Sequence, residues 1–171
     1  EGYPTNDFID LVLQNKPHQV TLVPDSPEVL TSNAGWDTIT HQEFLRDTVA
    51  TFKNEGIRTS LFIETKGDLI RAAKDTGADR IELYTEDFAS NYSKNKEAAI
   101  QPYIDSALVA QEMDLGINAG HDLSLENLAY FAKNIPGLLE VSIGHALTAE
   151  ALEMGFSNTV KEYIKILNKS A

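Results

Sequence analysis

One glutamate interrupts a predicted strand that is otherwise apolar. Glu82 stands between Ile81 and Leu83, in a short run typical of a buried parallel strand. Burying a carboxylate without a partner is costly, so such a residue is either paired or kept for chemistry. A pairing partner could be Arg58 or Arg80. Both hypotheses, an ion pair and an acid–base group, stay open at this point.

A histidine follows the fourth predicted strand, where the chain turns toward a helix. His121 closes the polar run 118–122, and the next helix is predicted to start near Ser124. An imidazole titrates near neutral pH, so a histidine in this position is suited to proton transfer. The alternative is a structural histidine that is hydrogen-bonded by Asp122.

A glycine and a histidine repeat this arrangement after the last predicted strand. Gly144 and His145 precede a long predicted helix, whose first amides could hold an anion such as phosphate. The alternative is a tight turn that only requires glycine. A metal site made of Glu82, His121 and His145 is not favoured, because the sequence lacks a local cluster of ligands. We therefore predict no metal site.

The remaining candidate positions are weaker. His18 and His41 are predicted to lie on the surface, and the polar segment 31–37 is either a substrate loop or a self-contained turn. No lysine ends a predicted strand, which argues against a Schiff-base mechanism.

The elements that would position these residues alternate along the chain. Short β-branched runs are separated by stretches with helical apolar spacing, a pattern typical of parallel βαβ units. The predicted strands cover residues 19–23, 58–63, 80–84, 115–119 and 139–143. Six helices are predicted, the first capped by Thr5 or Asn6 and the last running from about 148 to 167. Segment 90–96 is predicted to be a loop, and residues 1–171 to form one domain.

Two α/β architectures fit this order, a doubly wound sheet and a (β/α)8 barrel. The sequence contains neither a Gly-x-Gly-x-x-Gly fingerprint nor a Walker-type loop, which disfavours a nucleotide-binding sheet. Polar residues at the ends of several strands favour a barrel. A typical barrel has roughly 250 residues, so a chain of 171 residues is short by about two or three βα units.

The composition excludes several classes of function. Fourteen basic residues against 26 acidic ones give a net charge of −12, which disfavours binding to nucleic acid. Without cysteine, disulfides, thiolate metal sites and cysteine nucleophiles are excluded. No apolar run approaches the roughly 20 residues that span a bilayer. A cytoplasmic protein without membrane contact is predicted.

Five segments, taken together, resemble the pyridoxine 5′-phosphate synthase family over essentially the whole chain. In order they are Thr21-Leu22-Val23-Pro24-Asp25, Ser60-Leu61-Phe62-Ile63, Ile81-Glu82-Leu83-Tyr84-Thr85, Asn118-Ala119-Gly120-His121 and Ile143-Gly144-His145-Ala146. The resemblance implies a (β/α)8 TIM barrel that assembles into a homo-octamer. It also implies condensation of 1-deoxy-D-xylulose 5-phosphate with 3-amino-2-oxopropyl phosphate, giving pyridoxine 5′-phosphate, phosphate and water without a metal or organic cofactor.

The resemblance assigns catalytic roles to three positions of this chain. Glu1 would accept a proton at the end of the family's third strand. Glu82 would stabilise a transition state from the middle of its strand. His121 would donate a proton after the seventh strand.

The same resemblance implies a set of substrate contacts. Thr31 would contact the deoxyxylulose phosphate, and Gly144 with His145 would hold the aminooxopropyl phosphate. Asp122 would belong to this substrate site, although the family commonly has glycine there. Glu86 also stands where glycine is common.

By the same resemblance, this chain supplies the end of strand 3 through helix 8, the C-terminal two-thirds of a TIM barrel. The family's first two strands would precede Glu1, with a histidine, an arginine and further substrate contacts. Two other hypotheses stay open. One is another phosphate-binding barrel, such as an isomerase or epimerase of sugar phosphates, and the other is an inactive barrel fragment.

Overall fold

The computed structural model describes residues 1–25 and 34–170. This part of the chain contains five strands, β1 (Gln19–Leu22), β2 (Arg58–Ile63), β3 (Arg80–Tyr84), β4 (Gly116–Gly120) and β5 (Leu138–Ser142). It also contains seven helices, α1 (Asn6–Asn15), α2 (Gln42–Asn54), α3 (Gly67–Asp75), α4 (Glu86–Glu112), α5 (Leu128–Asn134), α6 (His145–Met154) and α7 (Phe156–Ser170).

The strands form one parallel sheet in which each strand pairs with the next one along the chain, in the order β1-β2-β3-β4-β5. The sheet is strongly curled. The side-chain amide of Gln19 on β1 donates to the carboxylate of Glu140 on β5 over 3.0 Å. Side chains on the first and last of five strands can meet only if the sheet bends around them. The α/β prediction is therefore confirmed, and the curled sheet is consistent with a partial TIM barrel.

The two faces of the sheet differ in chemistry because alternate residues of a strand point to opposite sides. The face that packs against the helices is apolar and belongs to the main core: Val20, Leu22, Leu61, Ile63, Ile81, Leu83, Ile117 and Ala119. The inner face carries polar groups that interact across the curl: Gln19, Thr21, Arg58, Arg80, Glu82, Asn118 and Glu140. The polar side chains of the inner face therefore do not interrupt the apolar packing between the sheet and the helices.

Local signals explain how the first helix begins. The side chain of Thr5 accepts a hydrogen bond from the backbone N–H of Phe8 over 3.2 Å, as the predicted cap requires. Val12 is the buried residue of this helix. The prediction of a Thr5 cap is confirmed.

The predictions for segment 90–96 and for the last helix were wrong. Segment 90–96 is not a loop but part of α4, which bends at Asn95 (φ −160°, ψ 90°). Its aromatic residues explain this, since Tyr92 packs edge-on against Phe88 and Tyr130 at 5.3 and 5.9 Å between ring centroids. The last predicted helix is two helices, because Gly155 adopts φ +79° and ends α6.

All five predicted strands are present in the described part of the chain, and their ends differ from the structure by one residue at most. No helix in residues 1–25 and 34–170 is long and apolar enough to cross a membrane.

Candidate active site

Glu82 lies on the inner face of β3 and is only 1% exposed. The hydroxyl of Thr21 on β1 donates to its Oε2 over 3.0 Å, and the side chain of Ser142 at the end of β5 also hydrogen-bonds it. The curl of the sheet therefore places side chains from β1 and β5 against a carboxylate that belongs to β3.

The ion pair proposed for Glu82 from the sequence is wrong. Arg58 and Arg80 instead contact Oε1 of Glu140, at 3.1 and 2.9 Å. Strand register explains this. Glu82 on β3 pairs with Asn118 on β4, which pairs with Glu140 on β5, so the two carboxylates lie in one row of the sheet. Glu140 therefore competes with Glu82 for both guanidinium groups.

The pKa of the Glu82 carboxyl is raised to about 7. Burial is the main cause and the negative charge of Glu1 adds to it, while the hydrogen bonds from Thr21 and Ser142 lower the pKa in part. A carboxyl with this pKa is present in both its protonated and its charged forms at neutral pH. It can therefore act as a general acid or as a general base.

Gly120, at the end of β4, leaves the space that the Glu82 carboxylate fills. A Cβ atom at this position would overlap Oε1 of Glu82 and would lie 3.1 Å from the Cβ of Ser142. The absence of a side chain at Gly120 is thus a condition for the buried carboxylate.

We expect Gly120→Ala to lower the free energy of unfolding by about 2 kcal/mol, the usual cost of forcing a methyl group into a packed site. Urea denaturation at pH 7 measures this change. Gly67→Ala is the matched control, because a Cβ there meets only Val109 at an ordinary 3.6 Å. Equal unfolding midpoints for Gly120→Ala and the wild type would contradict the packing described here.

His121 sits in an unusual turn directly after β4. Both His121 (φ +79°) and Asp122 (φ +55°) adopt left-handed backbone angles, which are uncommon outside glycine. The hydroxyl of Thr85 lies against the carbonyl oxygens of Gly120, at 2.8 Å, and of His121. The side-chain amide of Asn127 donates to the carbonyl of Asp122 over 3.2 Å. These contacts fix the turn from both sides.

The same turn explains a shifted helix start. The side chain of Asn127 accepts a hydrogen bond from the backbone N–H of Ser124 over 2.9 Å. The helix predicted from Ser124 therefore begins only at Leu128, after this capped turn.

The His121 ring lies among other aromatic rings at the carboxyl edge of the sheet. It meets Tyr84 edge-on at 5.1 Å, with Phe62 at 6.5 Å and the His145 ring at 6.4 Å between centroids. Its Nδ1 is 2.6 Å from Oδ2 of Asp122. The hydrogen bond from Asp122, which the sequence raised only as the structural alternative for His121, is present. The imidazole side chain keeps 19% of its surface exposed.

The backbone of Gly2 fixes the position of Glu1 next to this region. Gly2 forms a parallel bridge with Leu22, donates to the carbonyl of Thr21 and accepts from Val23, both over 3.1 Å. The chain at Glu1 therefore runs beside β1 in the strand direction. This placement brings the exposed carboxylate of Glu1 near enough for its negative charge to raise the pKa of Glu82.

Gly144 and His145 lie at the start of α6, both exposed. Gly144 is the residue before the helix, and the amide of Thr148 donates to its carbonyl over 3.0 Å. No side chain of the capping residue covers the first amides of the helix. Such uncovered amides attract anions.

The structure brings together most of the predicted site residues. The negative charge of Glu1 raises the pKa of Glu82. The centroid of the His121 ring lies 6.4 Å from that of His145. Asp122 turns toward His121. Thr31 lies outside the described residues.

Sequence reasoning missed the residues that support this site. These are Thr21 and Ser142 at Glu82, and Phe62 and Tyr84 at His121. Strand alternation is the one signal that could have revealed them, since it places each on the same face as Glu82.

The two remaining histidines lie elsewhere. His18 and His41 are both exposed, as predicted, and the His41 ring lies 5.6 Å from the Trp36 ring. Among the described residues, no group of three or more His, Cys, Asp or Glu side chains is arranged to hold a metal ion.

A curled parallel sheet with titratable side chains gathered at its carboxyl edge defines a barrel-type α/β protein with a candidate acid–base centre. The model of the family "Pyridoxal phosphate biosynthesis protein PdxJ" matches residues 1–169. The chain belongs to this family, and membership implies an enzyme of vitamin B6 biosynthesis.

Individual relatives agree with the family match. The chain is 53% identical to the pyridoxine 5′-phosphate synthase of Christiangramia forsetii and 56% identical to that of Flavobacterium johnsoniae, each over 167 residues, which are 98% of this chain and 70% of each relative. It is also 56% identical to that of Phocaeicola vulgatus over 163 residues, 95% of this chain and 68% of the relative.

Proposed function

We propose that this protein is a pyridoxine 5′-phosphate synthase, a transferase. It condenses 1-deoxy-D-xylulose 5-phosphate with 3-amino-2-oxopropyl phosphate and yields pyridoxine 5′-phosphate, phosphate and water. Family membership and the names of the relatives support the reaction. The observation that carries the proposal is the buried carboxyl of Glu82, whose pKa of about 7 suits proton transfer at neutral pH.

This reaction needs repeated proton transfers and no redox step. Joining an amine to a ketone, expelling phosphate and closing an aromatic ring each move protons to or from carbon, nitrogen or oxygen. In our proposal Glu1 accepts a proton, Glu82 stabilises a transition state by sharing or exchanging a proton with it, and His121 donates a proton. The proximity of Glu1 to Glu82 supports a shared task for these carboxylates.

The two phosphate groups would be held by local devices, since the chain as a whole carries a net charge of −12. We assign the aminooxopropyl phosphate to the start of α6, at Gly144 and His145, where uncovered amides favour an anion. Thr31 is assigned to the deoxyxylulose phosphate. Asp122 lies at the edge of the same substrate site.

The proposal extends to architecture and assembly. Residues 1–171 would form one domain, the C-terminal two-thirds of a TIM barrel from the end of strand 3 through helix 8. Copies would associate into a homo-octamer in the cytoplasm. Exposed apolar side chains on α6 and α7, at Leu152 (83% exposed), Phe156 (60%) and Ile164 (50%), support self-association.

The experiment is an assay of the purified chain with both substrates together and with each one alone, following pyridoxine 5′-phosphate and inorganic phosphate. We expect both products to appear in equal amounts, and only when both substrates are present. Turnover of a sugar phosphate without the amine would indicate an isomerase or epimerase instead. No turnover in any mixture would refute the proposal for this chain.

A further inference from the structure

We propose that Asp122 is a positioning residue for His121: its carboxylate holds the imidazole in the Nδ1–H tautomer, so that Nε2 exchanges the proton with the substrate. The catalytic meaning of this contact rests on the proposed function. The tautomer itself is a property of the protein without substrate, so it can be tested separately.

The distance between the two side chains supports a strong hydrogen bond. Oδ2 of Asp122 lies 2.6 Å from Nδ1 of His121, slightly shorter than the roughly 2.7–2.9 Å of charge-assisted N–H···O bonds. The imidazole side chain is 19% exposed and the carboxylate 38%. Solvent therefore competes only in part for the contact.

The backbone is arranged to make this contact. Adjacent side chains usually diverge, but His121 and Asp122 both have left-handed backbone angles, which side-chain-bearing residues rarely adopt. Thr85 and Asn127 hold the carbonyls of this turn. A disfavoured conformation fixed by two buried partners indicates that the direction of these side chains is important.

The His121 ring is restrained on another side as well. Tyr84 meets it edge-on at 5.1 Å. A ring that is packed against an aromatic neighbour and hydrogen-bonded at Nδ1 has little freedom to rotate. Its second nitrogen is then presented in one direction.

The chemical consequence follows from the two nitrogens of imidazole. A carboxylate accepts a hydrogen bond, so the neutral ring must carry its proton on Nδ1, and Nε2 can take up a proton. When Nε2 is protonated, the ring is positive, and the adjacent carboxylate stabilises that charge. Nε2–H can then donate its proton to a leaving group, and Asp122 stays charged throughout.

The test measures the tautomer of His121 by ¹⁵N NMR at pH 8.5 in the full chain, with the His121 signal assigned by its loss in His121→Gln. Asp122→Gly and Asp122→Asn are the test variants, because both residue types tolerate φ +55°. We expect the Nδ1–H tautomer in the wild type and a shift toward Nε2–H in both variants. The His18 and His41 signals should not change.

Steady-state kinetics on the same proteins give the second readout. We expect kcat to fall about 10- to 100-fold in Asp122→Gly, as for other residues that orient a functional histidine, while KM changes less than about twofold. An Nε2–H tautomer in the wild type, or an unchanged tautomer in Asp122→Gly, would overturn the inference. If the wild type makes no product, the proposed reaction fails, and the tautomer alone still decides the role of Asp122.

Discussion

Replacing Glu82 by glutamine is expected to lower kcat for pyridoxine 5′-phosphate formation by about 100- to 10 000-fold, the range that general acid–base groups contribute. Glutamine has nearly the same shape but cannot exchange a proton. Initial rates with saturating substrates measure the loss. A rate within about threefold of the wild type would show that Glu82 has no part in the chemistry.

The same variant should be more stable than the wild type in a pH-dependent way. Folding raises the pKa of Glu82 from 4.5 to about 7, so the folded protein binds more protons between these values. Its stability therefore falls as the pH rises from 4.5 to about 7, by about 3 kcal/mol when complete. Glu82→Gln removes this cost, and its gain should be about 2 kcal/mol larger at pH 8 than at pH 5.5.

Urea denaturation at the two pH values checks this expectation. Both pH values lie above the sequence pI of about 4.6. They therefore avoid the pI itself, where the loss of net charge would favour precipitation. Glu97→Gln is the control, because Glu97 is exposed and has no burial cost to relieve. An equal gain for Glu82→Gln at pH 5.5 and pH 8 would contradict a carboxyl that is buried and charged at high pH.

Replacing His121 by alanine is expected to reduce kcat about 100- to 10 000-fold, because the proposed proton donor is removed. The imidazole is partly exposed and lies outside the apolar core, so the unfolding midpoint should change little. Initial rates and urea denaturation together separate loss of chemistry from loss of fold.

His18→Ala is the matched control for His121→Ala. His18 is an exposed histidine, and no role in the reaction is assigned to it. We expect His18→Ala to retain wild-type turnover. Similar rates in the two variants would refute the role of His121.

The strands could be predicted because their signals are local. In β2 and β3, β-branched and large apolar residues crowd into five or six positions between polar joints. The ends of α4 and α6 were harder. Segment 90–96 has the composition of a loop, yet the packing of Tyr92 holds it in a helix. Gly155 ends α6 with φ +79°, but a glycine within a helical pattern does not by itself predict a break.

The site divides in the same way between local and distant contacts. The bond between His121 and Asp122 joins neighbours in the chain, so the sequence could suggest it. The partners of Glu82 could not be found in this way, because Thr21 lies 61 residues away and meets it only when the sheet curls. The choice of Glu140 over Glu82 by Arg58, across 82 residues, depends on strand register in the same way.

The central claim is that the inner face of the curled sheet holds a carboxyl that works as an acid–base group at neutral pH. Its most direct test is the titration of the Glu82 side-chain carboxyl by ¹³C NMR, with the signal assigned by its absence in Glu82→Gln. We predict a midpoint near pH 7, because burial and the charge of Glu1 both disfavour ionisation. A midpoint near 4.5, the ordinary value for glutamate, would contradict the claim.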